Sequence, residues 1–270
     1  MCSNYEPVTD NDRLLTSFGV TLPEGIDPAP DRGAGVLPLI VPAEVKSPEA
    51  LGDARFGLLG LLPHFATDIG LSRHTYSCHA ETMKSSPASR ESWWAGRRCV
   101  IPVEAITEWS YESGRPELWR IQQVDEAPMG LAGLWSDWTS PAGEKVLSFS
   151  VLTIDAEGHE VFGRLNTPAH EKRMPVILPI GVQALWLYGS LKEAERLLVR
   201  YPARQLQAAS REPSEKARHE PMSWTSTPDM FAPEWHALAA EQPRKKAVRA
   251  PRALLPGPPE RSGPTTGDLF

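Results

Sequence analysis

No run in the 270 residues is apolar enough for long enough to cross a bilayer as a helix, and the opening MCSNYEPVTDNDR is polar, without a signal-peptide core. The cytoplasm is therefore the expected compartment, with no membrane partner. Cysteine is scarce. Cys2, Cys78 and Cys99 form an odd set without paired metal-type spacing, which fits a reducing compartment better than a disulfide framework. His64, His74, Cys78 and His79 match no closed or catalytic zinc spacing, so no metal is expected, and no cofactor either. Internal repeats are also missing.

Positive charge is in short supply. The net charge is -6, and residues Glu241 to Phe270 hold six basic against three acidic side chains, so the rest of the chain stands at -9. An acidic body repels phosphate backbones on average; any nucleic-acid site must be a local basic groove.

What is present reads as one domain over residues 1–232, followed by a disordered, basic, proline-rich tail over 233–270, where large apolar side chains are too sparse to offset the entropy of ordering. RCVIPVEAITEW, PMGLAGLWSDW, VLSFSVLTID and RMPVILP are short β-branched or aromatic runs between Gly, Pro and polar residues, the pattern of a mainly antiparallel sheet or barrel. The Glu24–Glu49 region, rich in Pro, Gly and Ala, predicts ordered coil with VLPLIVPA as an edge strand broken by Pro38 and Pro42. Helices are fewer. Ser190 and Glu193 make an S-x-x-E capping box that predicts a helix over Ser190–Arg200, and a second is expected around Ser89–Gly96.

The chemistry begins at Cys2. A small second residue permits removal of the initiator Met, after which the chain begins with an amine beside a thiol. Their ordinary pKa values, about 8 and about 8.5, give both a nucleophilic form near neutral pH. Such a pair traps aldehydes: the amine forms an imine and the sulfur closes on the same carbon to give a five-membered thiazolidine. An internal cysteine lacks the amine.

Further segments follow in a fixed order: ARFGLLGLLPHFATD from Ala54, YSCHAET from Tyr76, RRCVIPVEAITEW from Arg97, GLAGLWSDW from Gly130 and KRMPVIL from Lys172. With MCSNYEP they resemble the SRAP family, the SOS response-associated peptidases, whose members read MCGR, RWGLIPxW, NARxET, RRCLIPxxGFYEW, AGLW and H-x-RMPVIL. The likeness spans roughly Met1 to Ala203. It implies an α+β fold, a mainly antiparallel, barrel-like β core with flanking helices, and a groove for single-stranded DNA in which Cys2 bonds covalently to the ring-opened aldehyde of an abasic site. By the same resemblance Glu108, in ITEW, is the general acid and base for ring opening and imine formation, its pKa raised by apolar neighbours such as Ile106 and Trp109. A monomer is expected.

The chain departs from the family pattern at several points. Ser77 stands in place of the Asn of NARxET, keeping a hydrogen bond with shorter reach, and His79 in place of its Arg. Asn4 stands where MCGR has Arg, so weaker DNA affinity is expected. The family's active-site His is displaced: His170 precedes Arg173 by three positions instead of two, and longer-loop members carry His where Asn166 stands. His170 is the first candidate for that role, Asn166 the alternative. The DNA-contacting set is Asn4, Pro38, His79, Arg97, Arg98 and Trp93, with Trp93 or Trp94 as the stacking residue at a groove rim. Two other readings use the same residues: a thiol peptidase, perhaps acting on its own amino end, and a degenerate DNA-binding module that keeps the fold without covalent chemistry.

Overall fold

The β-branched runs form strands, and the thirteen-residue β5 (Arg98–Ser110) is the spine that joins them. The computed structural model describes residues 4–23, 35–45, 47, 49–166 and 171–211. Within these, β1 (Asn4–Pro7) and α1 (Asn11–Phe18) lead to β2 (Val36–Val41), β3 (Asp53–Leu59), β4 (Ser77–His79) and α2 (Arg90–Trp94) ahead of β5. After it come β6 (Glu117–Gln123), β7 (Met129–Thr139), β8 (Lys145–Asp155), β9 (Arg173–Pro175), β10 (Ile177–Leu178), α3 (Ile180–Tyr188), α4 (Leu191–Glu195) and β11 (Leu206–Arg211). The expected tail lies outside the described residues.

All eleven strands belong to one sheet, antiparallel except where β3 and β4 run parallel to β8. Five of them, β2, β3, β8, β7 and β5, close into a ring, because β7 pairs with both β8 and β5. The α+β class with a barrel-like core is thus the fold found. β5 serves four partners by using each edge twice. One edge holds β7 over Arg98–Val103 and then β6 over Ile106–Ser110; the other touches β2 at Val100 and then β1 over Val103–Thr107. Its first half closes the barrel, and its second half carries β1 and β6 beyond it. Gly133 of β7 makes the closure possible, since a Cβ there would lie 2.8 Å from Cys99 Sγ and 2.9 Å from the Ser150 carbonyl oxygen.

β2 is not the broken edge strand that its prolines suggest. It runs unbroken through the barrel wall between β3 and β5. The Leu59 N–H donates to Gly35 O at 3.0 Å, which makes the odd-numbered residues of β2 the bonded partners of β3. Pro38 therefore turns its missing donor toward β5, where the only pairing is Ile40 with Val100. No ladder bond is lost there.

The helices flank this core. In α1 the Asp10 side chain accepts from Arg13 N at 2.8 Å, and Gly19, at φ 68°, ends the helix with Leu14 and Phe18 buried. The Ser190–Glu193 capping box is present, yet α4 stops at Glu195, short of the predicted Arg200. No helix among the described residues is long and apolar enough to cross a membrane.

Candidate functional site

Glu108 sits where β1, β5 and β6 meet. Along this end of β5 one face carries Ile106, Glu108 and Ser110, all buried, and the other carries the half-buried Thr107 and Trp109. Trp119 of β6 lies opposite Glu108, and Asn4, the first described residue of β1, lies opposite Thr107. Glu108 Oε1 accepts from the Trp109 N–H at 3.3 Å. A carboxyl only 6% exposed on a strand end is an unusual placement. Cys2 lies outside the described residues.

A second segment docks on the same strand end. His159 Nδ1 accepts from the N–H groups of Val161 and Phe162 at 3.2 and 3.1 Å, and its Nε2 meets Tyr201 O at 2.8 Å, which shapes the 3-10 turn Phe162–Arg164. From that turn Leu165 bridges to Ser110, and the Asn166 N–H donates to Trp109 O at 2.6 Å. Asn166 adopts the left-handed conformation, φ 62°, a region that Asn tolerates better than most side chains. Lys172 Nζ clamps it by donating to the carbonyls of Leu165 and Asn166 at 2.6 and 3.1 Å. Arg164 adds a two-point ion pair to Glu112 and lies 5.6 Å over the Trp119 ring. The alternative candidate Asn166 is thus held beside the residue that follows Glu108, whereas His170 lies outside the described residues.

Ser77 and His79 lie on β4, paired with Val151 and Thr153 of β8, and line a cleft of about 200 Å³. Two residues on, Glu81 receives Arg173 Nη1 and Nη2 at 3.1 and 2.7 Å, while Arg173 Nη2 also donates to Thr153 O at 2.6 Å. Burial pushes the Glu81 carboxyl up, but the hydrogen bonds and charge of Arg173, together with the backbone N–H groups of Glu81 and Asp155, outweigh it and hold the group below the usual carboxylate range. The acid of YSCHAET and the arginine of KRMPVIL are therefore a structural pair.

Three of the expected DNA contacts are corrected. Arg98 is buried, its guanidinium donating to Trp186 O at 2.5 Å, to Leu187 O at 3.4 Å and to Gly189 O; it caps the carbonyl end of α3. Trp93 is 1% exposed and packs against Trp186 at 6.4 Å between ring centroids, so it is core, while Trp94 is the exposed member of the pair at 61%. Pro38 is buried in the barrel wall. Arg97 remains accessible, 3.7 Å from Glu91 and 5.9 Å over the Trp135 ring, and the half-buried Asn4 and His79 keep surface positions. Sequence reasoning missed Lys172 and Trp119. Lys172 carried a signal, as the first residue of KRMPVIL; Trp119 carried none.

Residues 1–235 match the family described as SOS response associated peptidase (SRAP). The chain belongs to the SRAP family. Among its SRAP relatives is the "Abasic site processing protein YoqW" of Bacillus subtilis, 26% identical over 195 residues, which are 69% of this chain and 80% of that one. The "Abasic site processing protein HMCES" of Xenopus tropicalis is 25% identical over 167 residues, 53% of this chain and 48% of its own. A crystal structure of a Bordetella bronchiseptica protein shares the fold with a TM-score of 0.70 and 30% identity, covering 78% of this chain and all of that one (100%). A Bacteroides thetaiotaomicron protein, 19% identical, shares the fold alone, with a TM-score of 0.66 over 78% of this chain and 92% of its own.

Proposed function

We propose that this SRAP protein handles abasic sites in DNA, and that it captures them in single strands by closing a thiazolidine between Cys2 and the open sugar. The relatives named for abasic-site processing support the first part. The observation that carries the second is the pairing of Asn4 with Thr107, one residue from Glu108. Two residues of chain span at most about 7 Å, so Cys2 is within covalent reach of the end of β5 that carries Glu108.

Glu108 in its acid form protonates the ring oxygen as the bond from that oxygen to C1 breaks, and the C1 hydroxyl gives up its proton to solvent, leaving the open aldehyde. The Cys2 amine adds to the aldehyde carbon, and one water leaves to give the imine. The sulfur then adds to that same carbon, its proton ends on the nitrogen, and Glu108 relays protons between these steps. Such general acid–base help is worth about 10²- to 10⁴-fold. Asn166, held against Trp109 O, supplies a polar contact that does not titrate, and Ser77 and His170 are the further candidates for positioning the amine. Arg97, Asn4, His79 and the exposed Trp94 are the surface groups offered to the DNA strand.

The test is incubation with an abasic single-stranded oligonucleotide followed by denaturing electrophoresis. Wild-type protein should give a shifted band, Cys2→Ala none, and Glu108→Gln a band that forms more slowly by the factor above. A wild type without a band, or a Cys2→Ala variant with one, overturns the proposal. Release of a peptide from the amino end would move the assignment to a thiol peptidase.

A further inference from the structure

β1 is an edge strand: among the described residues it pairs with β5 alone. It is held from both faces. On the inner face the Tyr5 ring is buried beside Ile106, where burial first and the nearby Cys99 thiol second push the phenol's pKa up. On the outer face Glu6 Oε2 accepts from Arg120 Nε at 2.9 Å and from Arg120 Nη2 at 2.8 Å. Arg120 belongs to β6, on the far edge of β5, so this ion pair crosses a whole strand. The strands it joins are two spacings apart, about 9.6 Å, a gap that a Glu and an Arg together can bridge. Ala105, opposite Glu6, has no bulk to stand in the way.

The pair matters because an edge strand held by one ladder has little else to set its register. A slip of one residue would turn Tyr5 out to solvent and Glu6 into the core, so burial forbids it. A slip of two keeps inside and outside apart, but it would put Asn4 or Val8 beside Arg120, and neither carries a charge. The ion pair and the fit of Tyr5 are what oppose it. Such a slip would carry the residues before Asn4 about 7 Å along β5, and the Cys2 terminus with them. Misplacing a reacting group by only about 1 Å can cost 10²-fold in rate.

We propose that Arg120 is a positioning residue for abasic-site capture: by gripping Glu6 across β5 it holds β1 in register and so keeps the amino terminus within reach of Glu108. The inference rests on the capture reading above and adds to it a residue that touches neither the sugar nor the nucleophile.

The test is the single-turnover rate of crosslinking to an abasic single-stranded oligonucleotide, measured against oligonucleotide concentration with the full-length protein. Arg120→Met should lower the maximum rate about tenfold or more and leave the half-saturating concentration within about twofold. Arg120→Lys should recover much of the rate, since an ammonium still reaches a carboxylate oxygen. The double swap Glu6→Arg with Arg120→Glu should outpace either single charge reversal. In Arg120→Met, hydrogen exchange should quicken at the β1 amides and stay unchanged in β7 and β8. A maximum rate within about twofold of wild type, a loss confined to the half-saturating concentration, or exchange that quickens throughout the barrel overturns this proposal alone. A wild type that gives no crosslink removes the capture reading and the proposal with it.

Discussion

Arg173 and Glu81, 92 residues apart in the chain, meet in a two-point ion pair that fastens the end of β9 to the segment following β4. Arg173 is buried and Glu81 is half exposed. Because the folded carboxyl is held below its ordinary range, the stability it contributes is complete above the unfolded pKa of about 4.3 and is lost as pH falls through the lower folded value. Glu81→Gln should cost about 1–2 kcal/mol at pH 7, between the values for exposed and buried pairs. Denaturant unfolding at pH 7 and at pH 3 checks this: the gap between wild type and variant should shrink at the lower pH.

Asn166 offers a test of backbone conformation beside the site. At φ 62° a residue with a Cβ is strained, and Asn is among the few that tolerate it. Asn166→Gly should leave the unfolding free energy within a few tenths of a kcal/mol, whereas Asn166→Ala should lower it by about 1 kcal/mol. If Asn166 also serves the chemistry, both variants will slow the crosslink while only one loses stability.

The two adjacent arginines should behave differently. Arg98→Ala removes the donor from three carbonyls and leaves a cavity, for an expected loss of about 3 kcal/mol or more. Arg97→Ala should change stability by less than about 1 kcal/mol. If Arg97 meets a phosphate, its loss should reduce the salt slope of single-stranded DNA binding by about 1.

The paired tryptophans divide in the same way. Trp93→Ala empties a core position and should cost about 3–5 kcal/mol. Trp94→Ala should leave the melting temperature alone; if the exposed ring stacks on a base, oligonucleotide affinity falls by about 1–3 kcal/mol.

Much of this architecture was legible in the chain. β5, β7 and β8 lie where β-branched runs predict them, and the Ser190 cap is read correctly because an S-x-x-E spacing is a purely local signal. What escaped was non-local or lacked contrast. α3, IGVQALWLY, has no polar face, so no helical alternation marks it. Pro38 spoke against a continuous strand, and only the identity of the neighbouring strand shows that its missing donor is harmless. At the candidate site, the motif singles out Glu108, and the fold buries that carboxyl at the end of β5. Arg98 and Trp93 were misassigned, because an arginine or tryptophan beside a motif looks the same in sequence whether it faces a carbonyl, a core or a groove.

The register of β1 has a consequence for how the protein comes to be active. Its partner residues Val103–Thr107 lie about a hundred positions further along the chain, and the ring itself closes through Ile40 with Val100 and Leu58 with Ser148. Contacts this distant in sequence form slowly, since each must close a long loop before it is rewarded. With Cys2 as the nucleophile proposed above, a nascent or half-folded chain would hold that terminus with no carboxylate beside it and should react only at the slower, unassisted rate. Recovery of the assisted crosslinking rate after dilution from denaturant should therefore trail the return of secondary structure.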